Sequence, residues 1–564
     1  MSLTKKNITQ ATIFTGLVWF IVVFLIAPNI TTVTDVFWQD GEFTMRAIER
    51  MRNAPRAMQA LRNSFIIAPV LSVTVGFVGV TLVLITDYFK VFGAKILRLG
   101  YMTTLLYSGI VLVSGYVFLY GNNGFVTNIL VQIFPNLEQD WFSGFWAVLF
   151  VMTFAATGNH MIFIRNALRS VDYQTIEVAR NLGASSFTIL WRVVLPVLLP
   201  SLTAVTVFTF LGGLSAIAAP LLVGGPDFRA ITPLILQLSR LQGSRDIAAL
   251  LALILGVSSI LLIAVFSLLE KRGHYLSVSK VKTDLVKQKI RNPVVNVFVH
   301  IYAYVLFLIY ISPVVMIVLF SFTDSRTIAR REFNFSALTL DNYIAALTQN
   351  FSPFMTSAIY SFLAATGVAV LMLLVCRIIT KHKGKASTAI EYAFMIPWLL
   401  PTVLIAWGLV ATFNRPQWFM FNQPLANTTT IMVLGYLIIC IPFTLRMTRA
   451  SFFSIDDTLE DAAKNLGAKP MYAFLRIIIP VILPSVLAIF ALNFNRLLAE
   501  FDMSVFMYNP LSVPLGVEIE NLTMAGDSGG DSAELVFVYT VIIMAISALV
   551  LYLVYGRNSK IGID

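Results

Sequence analysis

Cysteine is nearly absent: Cys376 and Cys440 are the 2 in 564 residues, and both lie inside apolar stretches, where a thiol behaves as a small hydrophobe. That argues against a disulfide framework and against a Cys-based metal site. Histidine is almost as scarce. His160, His274, His300 and His382 are scattered without HxH or HExxH spacing, so no local metal cage is visible. Charge is the third scarcity, at 12% of residues where soluble domains carry about 25%. A nucleotide-cradling loop is missing as well: GKAS at 384–387 has a Gly-Lys pair but lacks the upstream glycine and the Ser or Thr directly after the lysine. It reads as a basic turn.

What is abundant is apolar length. Hydrophobic residues make up 58% of the chain and mean hydropathy is +0.81, which excludes an ordinary soluble protein. Runs long enough to cross a bilayer as helices fall at 11–29, 64–86, 100–120, 143–164, 194–223, 247–269, 297–321, 355–379, 390–413, 429–447, 478–503 and 534–555. The expectation is an all-α membrane protein of about twelve spans. The first run follows Lys5 and Lys6, has Pro28 after Ala27 and no A-x-A site, and is read as an uncleaved anchor.

Net charge is +11, which in such a chain reports topology rather than nucleic-acid binding. With both termini inside, every lysine falls on the cytoplasmic side, from Lys90 and Lys95 to Lys464, Lys469 and Lys560, as the positive-inside rule expects. The polar stretch 271–293 reads as a cytoplasmic linker between a first half, 1–270, and a second, 294–564.

The halves are related by a repeat. Residues 177–201 read EVARNLGASSFTILWRVVLPVLLPS and 461–485 read DAAKNLGAKPMYAFLRIIIPVILPS, a constant offset of 284 that extends upstream to Asp172 with Asp456 and Arg165 with Arg449. Each unit holds six spans, an even number, so the two copies face the same side as a parallel repeat. Each block predicts a short helix outside the membrane, capped by Asp172 or Asp456 and ended by Gly183 or Gly467. Pro196 and Pro200, like Pro480 and Pro484, kink or start the following span. Two readings stand beside each other: a pair of structural elbows, or a docking surface for a soluble partner. The polar, Gly-terminated form in both halves favours docking.

These blocks resemble a known family. The spacing E-A-A-x3-G-x9-I-x-L-P marks permease subunits of ATP-binding-cassette importers, and here it appears as Glu177-Val178-Ala179, Gly183 and Pro196, then as Asp461-Ala462-Ala463, Gly467 and Pro480. The departures are Val178, Asp461 and Ile479. LTLDNY at 338–343 and ALRNS at 60–64 resemble maltose-permease-like importers, while APLLVGGP at 219–226, Glu500-Phe501, Ser504-Val505 and Tyr508-Asn509-Pro510 resemble fused ferric-ion type permeases.

The resemblance implies a type I importer permease fold in two parallel halves, in a bacterial cytoplasmic membrane. It implies coupling helices around Glu177–Gly183 and Asp461–Gly467 seated on two copies of an ATPase, with ATP and Mg bound by that partner and no cofactor in this chain. It implies a non-catalytic pathway, an extracytoplasmic binding protein that delivers substrate, and ferric iron as that substrate, with an organic phosphate, a phosphonate or thiamine as the alternative. No nucleic-acid partner is implied.

Charge within a span is costly and reads as functional by default. Arg496, Glu500 and Asp502 qualify; Arg496 and Glu500 stand four apart and are expected to meet on one helix face, either as a structural or gating pair or on the substrate path. Arg240 and Arg245 are read as interfacial. Between Glu42 and Arg62, with Phe43, Ala47 and Met51 at four-residue spacing, an amphipathic surface helix is expected before Pro55. The segment's arginines Arg46, Arg50, Arg52 and Arg56 either meet an anion or a binding protein, or snorkel at the membrane surface. The rival from another class is an ion-coupled secondary transporter, which needs titratable groups within the spans; the two docking loops argue against it.

Overall fold

The computed structural model describes residues 12–39, 41–105, 109–122, 124–241, 243–272, 286–324, 327, 338–381, 384–420, 422–453, 455, 457–527 and 533–556. Most of the 271–293 linker, and the expected cap Asp456, lie outside them. Among the described residues, eleven helices are long and apolar enough to cross a bilayer. The protein is a multi-pass, mostly helical membrane protein.

The expected span at 390–413 is not one helix. It is two, Lys385–Leu399 and Thr402–Phe413, bent by 105° at the break. Leu400 between them is extended, at φ −108° and ψ 138°, the conformation favoured for a residue that precedes a proline, here Pro401. The spans expected at 194–223 and 478–503 also end early, at Leu214 and Leu498. Short helices follow each stop, Ala218–Val223 then Ile231–Ser239 in the first half, and Ser504–Met507 then Leu515–Asp527 in the second.

The repeat holds residue for residue in three dimensions. Helices Tyr173–Asn181, Ser186–Ile189 and Leu195–Leu214 reappear as Asp457–Asn465, Pro470–Ala473 and Ile479–Leu498, each 284 residues on. Even the single π-turns recur, Leu190–Val194 and Phe474–Ile478. A wider turn suits this position, because Pro196 and Pro480 just beyond it have no backbone N–H to give to the preceding turn. A buried serine in each half binds the equivalent amide, although the serines themselves are 293 residues apart: Ser64 Oγ accepts the Ile231 N–H at 2.9 Å, and Ser357 Oγ accepts the Leu515 N–H at 2.8 Å.

Packing does not respect the boundary between the halves. The core built on residues 360–507 of the second half takes in Leu17, Ile21, Phe24 and Leu25 from the first span, with Phe24 and Phe413 ring centroids 5.6 Å apart. The core of the first half takes in Ala303, Leu306 and Tyr310 from the seventh span, and Tyr101 donates its hydroxyl to the Ala303 carbonyl at 2.7 Å. Each half therefore lends its first span to the other. The contact is close at Gly408, where a Cβ would lie 2.9 Å from the Pro28 carbonyl oxygen.

Candidate functional site

The two loop helices are built alike at their ends. Asp172 caps the first, its carboxylate accepting the Gln174 N–H at 3.1 Å. Both close on a left-handed glycine, Gly183 at φ +85° and Gly467 at φ +82°. Beyond it Ala184 N–H reaches the Ala179 carbonyl at 3.0 Å, and Ala468 N–H the Ala463 carbonyl at 2.9 Å, the long bond of a Schellman motif. Glu177, Asp461 and Ala462 are exposed, and Ala463 is buried. Just before each glycine stands a leucine pushed out into the open: Leu182 is 83% exposed and Leu466 is 89% exposed. Sequence reasoning passed over these leucines, although both sit inside the repeated NLGA tetrapeptide.

The helices are anchored differently. In the first, Ile176 is fully buried in the core that also holds Leu84, and Arg180 donates to the side chain of Gln288. Gln288 is itself fastened to the loop after the second span, its N–H to the Tyr88 carbonyl at 2.8 Å and its carbonyl to the Lys90 N–H at 2.9 Å. In the second, the place of Ile176 is taken by Glu460, which receives Arg377 Nη1 and Nη2 at 2.7 and 2.8 Å and Lys381 Nζ at 3.1 Å. Those bonds hold the Glu460 carboxyl down at about 2. The matched arginines are both paired, Arg165 with Asp87 at 2.9 Å and Arg449 with Glu391.

A duplicated membrane unit with a Gly-closed loop helix before a Pro-led span is the pattern of one transport family. Its description, binding-protein-dependent transport system inner membrane component, matches residues 11–273 and 374–560. The chain belongs to this family. It is 35% identical over 537 residues, 94% of each chain, to the probable ABC transporter permease protein y4fN of Sinorhizobium fredii. It is 23% identical over 372 residues to the Fe(3+)-transport system permease protein FbpB 2 of Haemophilus influenzae, covering 64% of this chain and 68% of that one. It is also 25% identical over 218 residues to the putative molybdenum transport system permease protein YvgM of Bacillus subtilis, covering 37% of this chain and 95% of the relative. This permease thus carries two copies of a unit that stands alone in YvgM. Like its relatives it is a non-catalytic membrane component, and its family implies an ATPase and a binding protein as partners.

The charges expected to pair within the permease do not. Helix Ile479–Leu498 stops before Glu500, so Arg496 and Glu500 share no helix face. Glu500 turns forward instead and caps the next helix, its oxygens accepting Met503 N–H at 2.9 Å, Ser504 N–H at 3.1 Å and Ser504 Oγ–H at 2.8 Å. Arg496 and Asp502 are both exposed, and Arg496 occupies the position that Gly212 holds in the first half.

The surface helix is shorter than the spacing predicts. It runs Arg46–Arg52, because Phe43 pairs as a strand residue with Trp38. Arg50 is committed within the permease: its Nη1 donates to both oxygens of Asp246 at 2.8 and 2.7 Å, and its Nη2 to the Gly243 carbonyl at 2.6 Å. Arg46 lines the shallow pocket beside that pair; Arg52 and Arg56 are exposed. Arg240, read as interfacial, is exposed and also lines a cavity of about 690 Å³ between the two halves.

Proposed function

We propose that this permease is the membrane pathway of an ATP-driven importer for ferric iron. The observation that carries the mechanism is the exact recurrence, 284 residues apart, of loop helix, exposed leucine, left-handed glycine, π-turn and Pro-led span. Each loop helix offers a protruding apolar knob on a polar helix whose far face is anchored to the bundle, a form suited to seating in the cleft of a soluble subunit. Two copies of an ATPase take these seats, Glu177, Ala179 and Gly183 meeting one and Asp461, Ala462, Ala463 and Gly467 the other. ATP and Mg belong to that partner.

Closure of the ATPase pair pushes both loop helices, and Pro196 and Pro480 start the spans that carry the push inward. Because each first span is packed in the opposite half, the halves move as a coupled pair rather than separately, which supplies the bistable element of a switch. An extracytoplasmic binding protein delivers substrate at the opposite end, toward the arginines of the Arg46–Arg52 helix. The membrane is the bacterial cytoplasmic one with both termini inside, a sidedness supported by the lysine distribution.

Ferric iron is supported by the likeness to FbpB 2 and by the APLLVGGP and Tyr508-Asn509-Pro510 segments. The test is uptake of labelled ferric citrate against a labelled hexose phosphate, in cells with and without the chain and with ATP depletion. ATP-dependent loss of iron uptake alone is the expected result. Uptake that survives ATP depletion but needs an ion gradient would overturn the mechanism, and loss of hexose-phosphate uptake alone would overturn the substrate.

A further inference from the structure

The cavity between the halves is lined on one side by helix Ile231–Ser239 and the residues around it, and on the other by Val505 and helix Leu515–Asp527. Four pairs of its lining residues are related by the repeat offset: Leu221 with Val505, Leu236 with Glu520, Gln237 with Asn521, and Arg240 with Met524. A cavity whose opposite walls are equivalent residues of the two copies lies on the pseudo-twofold axis. A substrate that passes through the membrane between the halves travels along that axis.

The symmetry is kept by the amides and broken by the charges. Gln237 and Asn521 line the cavity as matching hydrogen-bonding side chains, while the place of Arg240 is taken in the other copy by apolar Met524 and that of Glu520 by apolar Leu236. Arg229 adds a second guanidinium on the first-half wall, where the other copy has Val513. Neither arginine makes an ion pair or hydrogen bond through its side chain among the described residues. Glu520 is only 8% exposed; burial pushes its carboxyl up from the usual range, and the positive charge of Arg240 offsets only part of that rise. Among the described residues no cluster of three metal-ligating side chains exists, so a bare metal ion has no cage here.

We infer that this cavity is a substrate subsite for an oxygen-rich anion, held by Arg229 and Arg240 and oriented by Gln237 and Asn521. Guanidinium groups present forked donors that match carboxylate, phosphate and sulfate oxygens. Glu520 is the resident counter-charge: it offsets Arg240 while the cavity is empty and is displaced in favour of the arriving anion, which keeps retention weak enough for release. The ligand chemistry has two sources, the carboxylates of a ferric chelate or a free inorganic oxyanion. This inference rests on the import reading for its place in transport, but binding in the cavity is measurable without turnover.

The test is equilibrium binding of labelled ferric citrate and of labelled inorganic sulfate to the purified full-length permease in nanodiscs, with uptake by the permease–ATPase complex as the second readout. Arg229→Gln and Arg240→Gln are each expected to weaken binding about tenfold or more, Arg240→Lys to recover part of that loss, and Glu520→Gln to strengthen binding several-fold. ATPase co-purification is expected to stay unchanged in all four. Binding of the chelate alone assigns the iron source, and binding of sulfate alone the oxyanion source. Wild-type binding in both arginine variants, or no binding of either probe to the unaltered chain, would overturn the inference. Failure of the import reading shows differently, as a wild-type permease that recruits no ATPase and moves nothing on ATP.

Discussion

Arg377 grips Glu460 through both guanidinium nitrogens at 2.7 and 2.8 Å, at the place where the first half has Leu84 and Ile176, both buried in its core. The equivalence follows from the register: Glu460 lies 284 residues after Ile176, and Arg377 stands as far beyond Ser357 as Leu84 does beyond Ser64. One loop helix is thus held by apolar burial and the other by an ion pair of which each side chain is under a fifth exposed. The two anchors respond differently to mutation and to acid.

Removing Arg377 leaves Glu460 with Lys381 as its remaining ionic partner in a half-buried site. Arg377→Leu is expected to destabilise the chain by about 1–3 kcal/mol, whereas Arg377→Leu with Glu460→Ile, which rebuilds the first-half pair, is expected to be near neutral. Thermal unfolding in detergent decides it; a double variant no more stable than the single would refute the equivalence of the two anchors.

Acid should loosen the second loop helix selectively. Glu460 is held at about 2 against an ordinary value of 4.5, so its folded form binds the proton less readily than the unfolded one. The stabilisation is therefore complete above about pH 4.5 and drains away as pH falls toward about 2. Hydrogen exchange should show protection of Asp457–Asn465 falling in that window while Tyr173–Asn181, anchored through Ile176, holds. Parallel loss in both helices would contradict the assignment.

Leu182 and Leu466 contribute almost nothing to the fold of the isolated chain, given their exposure. Leu182→Asp and Leu466→Asp are expected to change stability by less than about 0.5 kcal/mol yet to remove ATPase co-purification, the double variant more completely than either single one. Undiminished capture of the ATPase by the double variant would count against docking at these helices.

Gly183 and Gly467 test the same surface through the backbone. A Cβ at either position would meet no atom within 4 Å, so alanine there suffers only the left-handed conformation, about 1 kcal/mol each. A larger loss in the isolated chain would mean that the helix ends are buried by something other than a partner.

Ser64→Ala and Ser357→Ala each leave a buried N–H, of Ile231 and of Leu515, without its acceptor. Each is expected to cost about 1–3 kcal/mol, and since they sit in different halves the losses should add within about 0.5 kcal/mol. Denaturation of the two singles and the double measures it. Strong non-additivity would show that the helices lining the axial cavity are coupled through it.

The sequence by itself determined what depends on local chemistry. Apolar run length sets the spans because lipid leaves backbone groups no other partner; Asp172, Gly183 and Gly467 set the ends of the loop helices through their own capping and φ preferences; and the fixed offset between copies sets the pseudo-symmetry and, with it, the family. Only the tertiary structure decided what depends on which residues meet across the chain. Pro401 bends a run that hydropathy reads as one span, since an average over apolar residues is blind to one extended residue. Arg496 and Glu500 look like neighbours until the helix stops at Leu498 and frees Glu500 to cap its successor. The exchange of first spans, the Arg377–Glu460 grip and the convergence of Arg240 with Glu520 join residues dozens to hundreds of positions apart, and spacing along a chain carries no information about such partners.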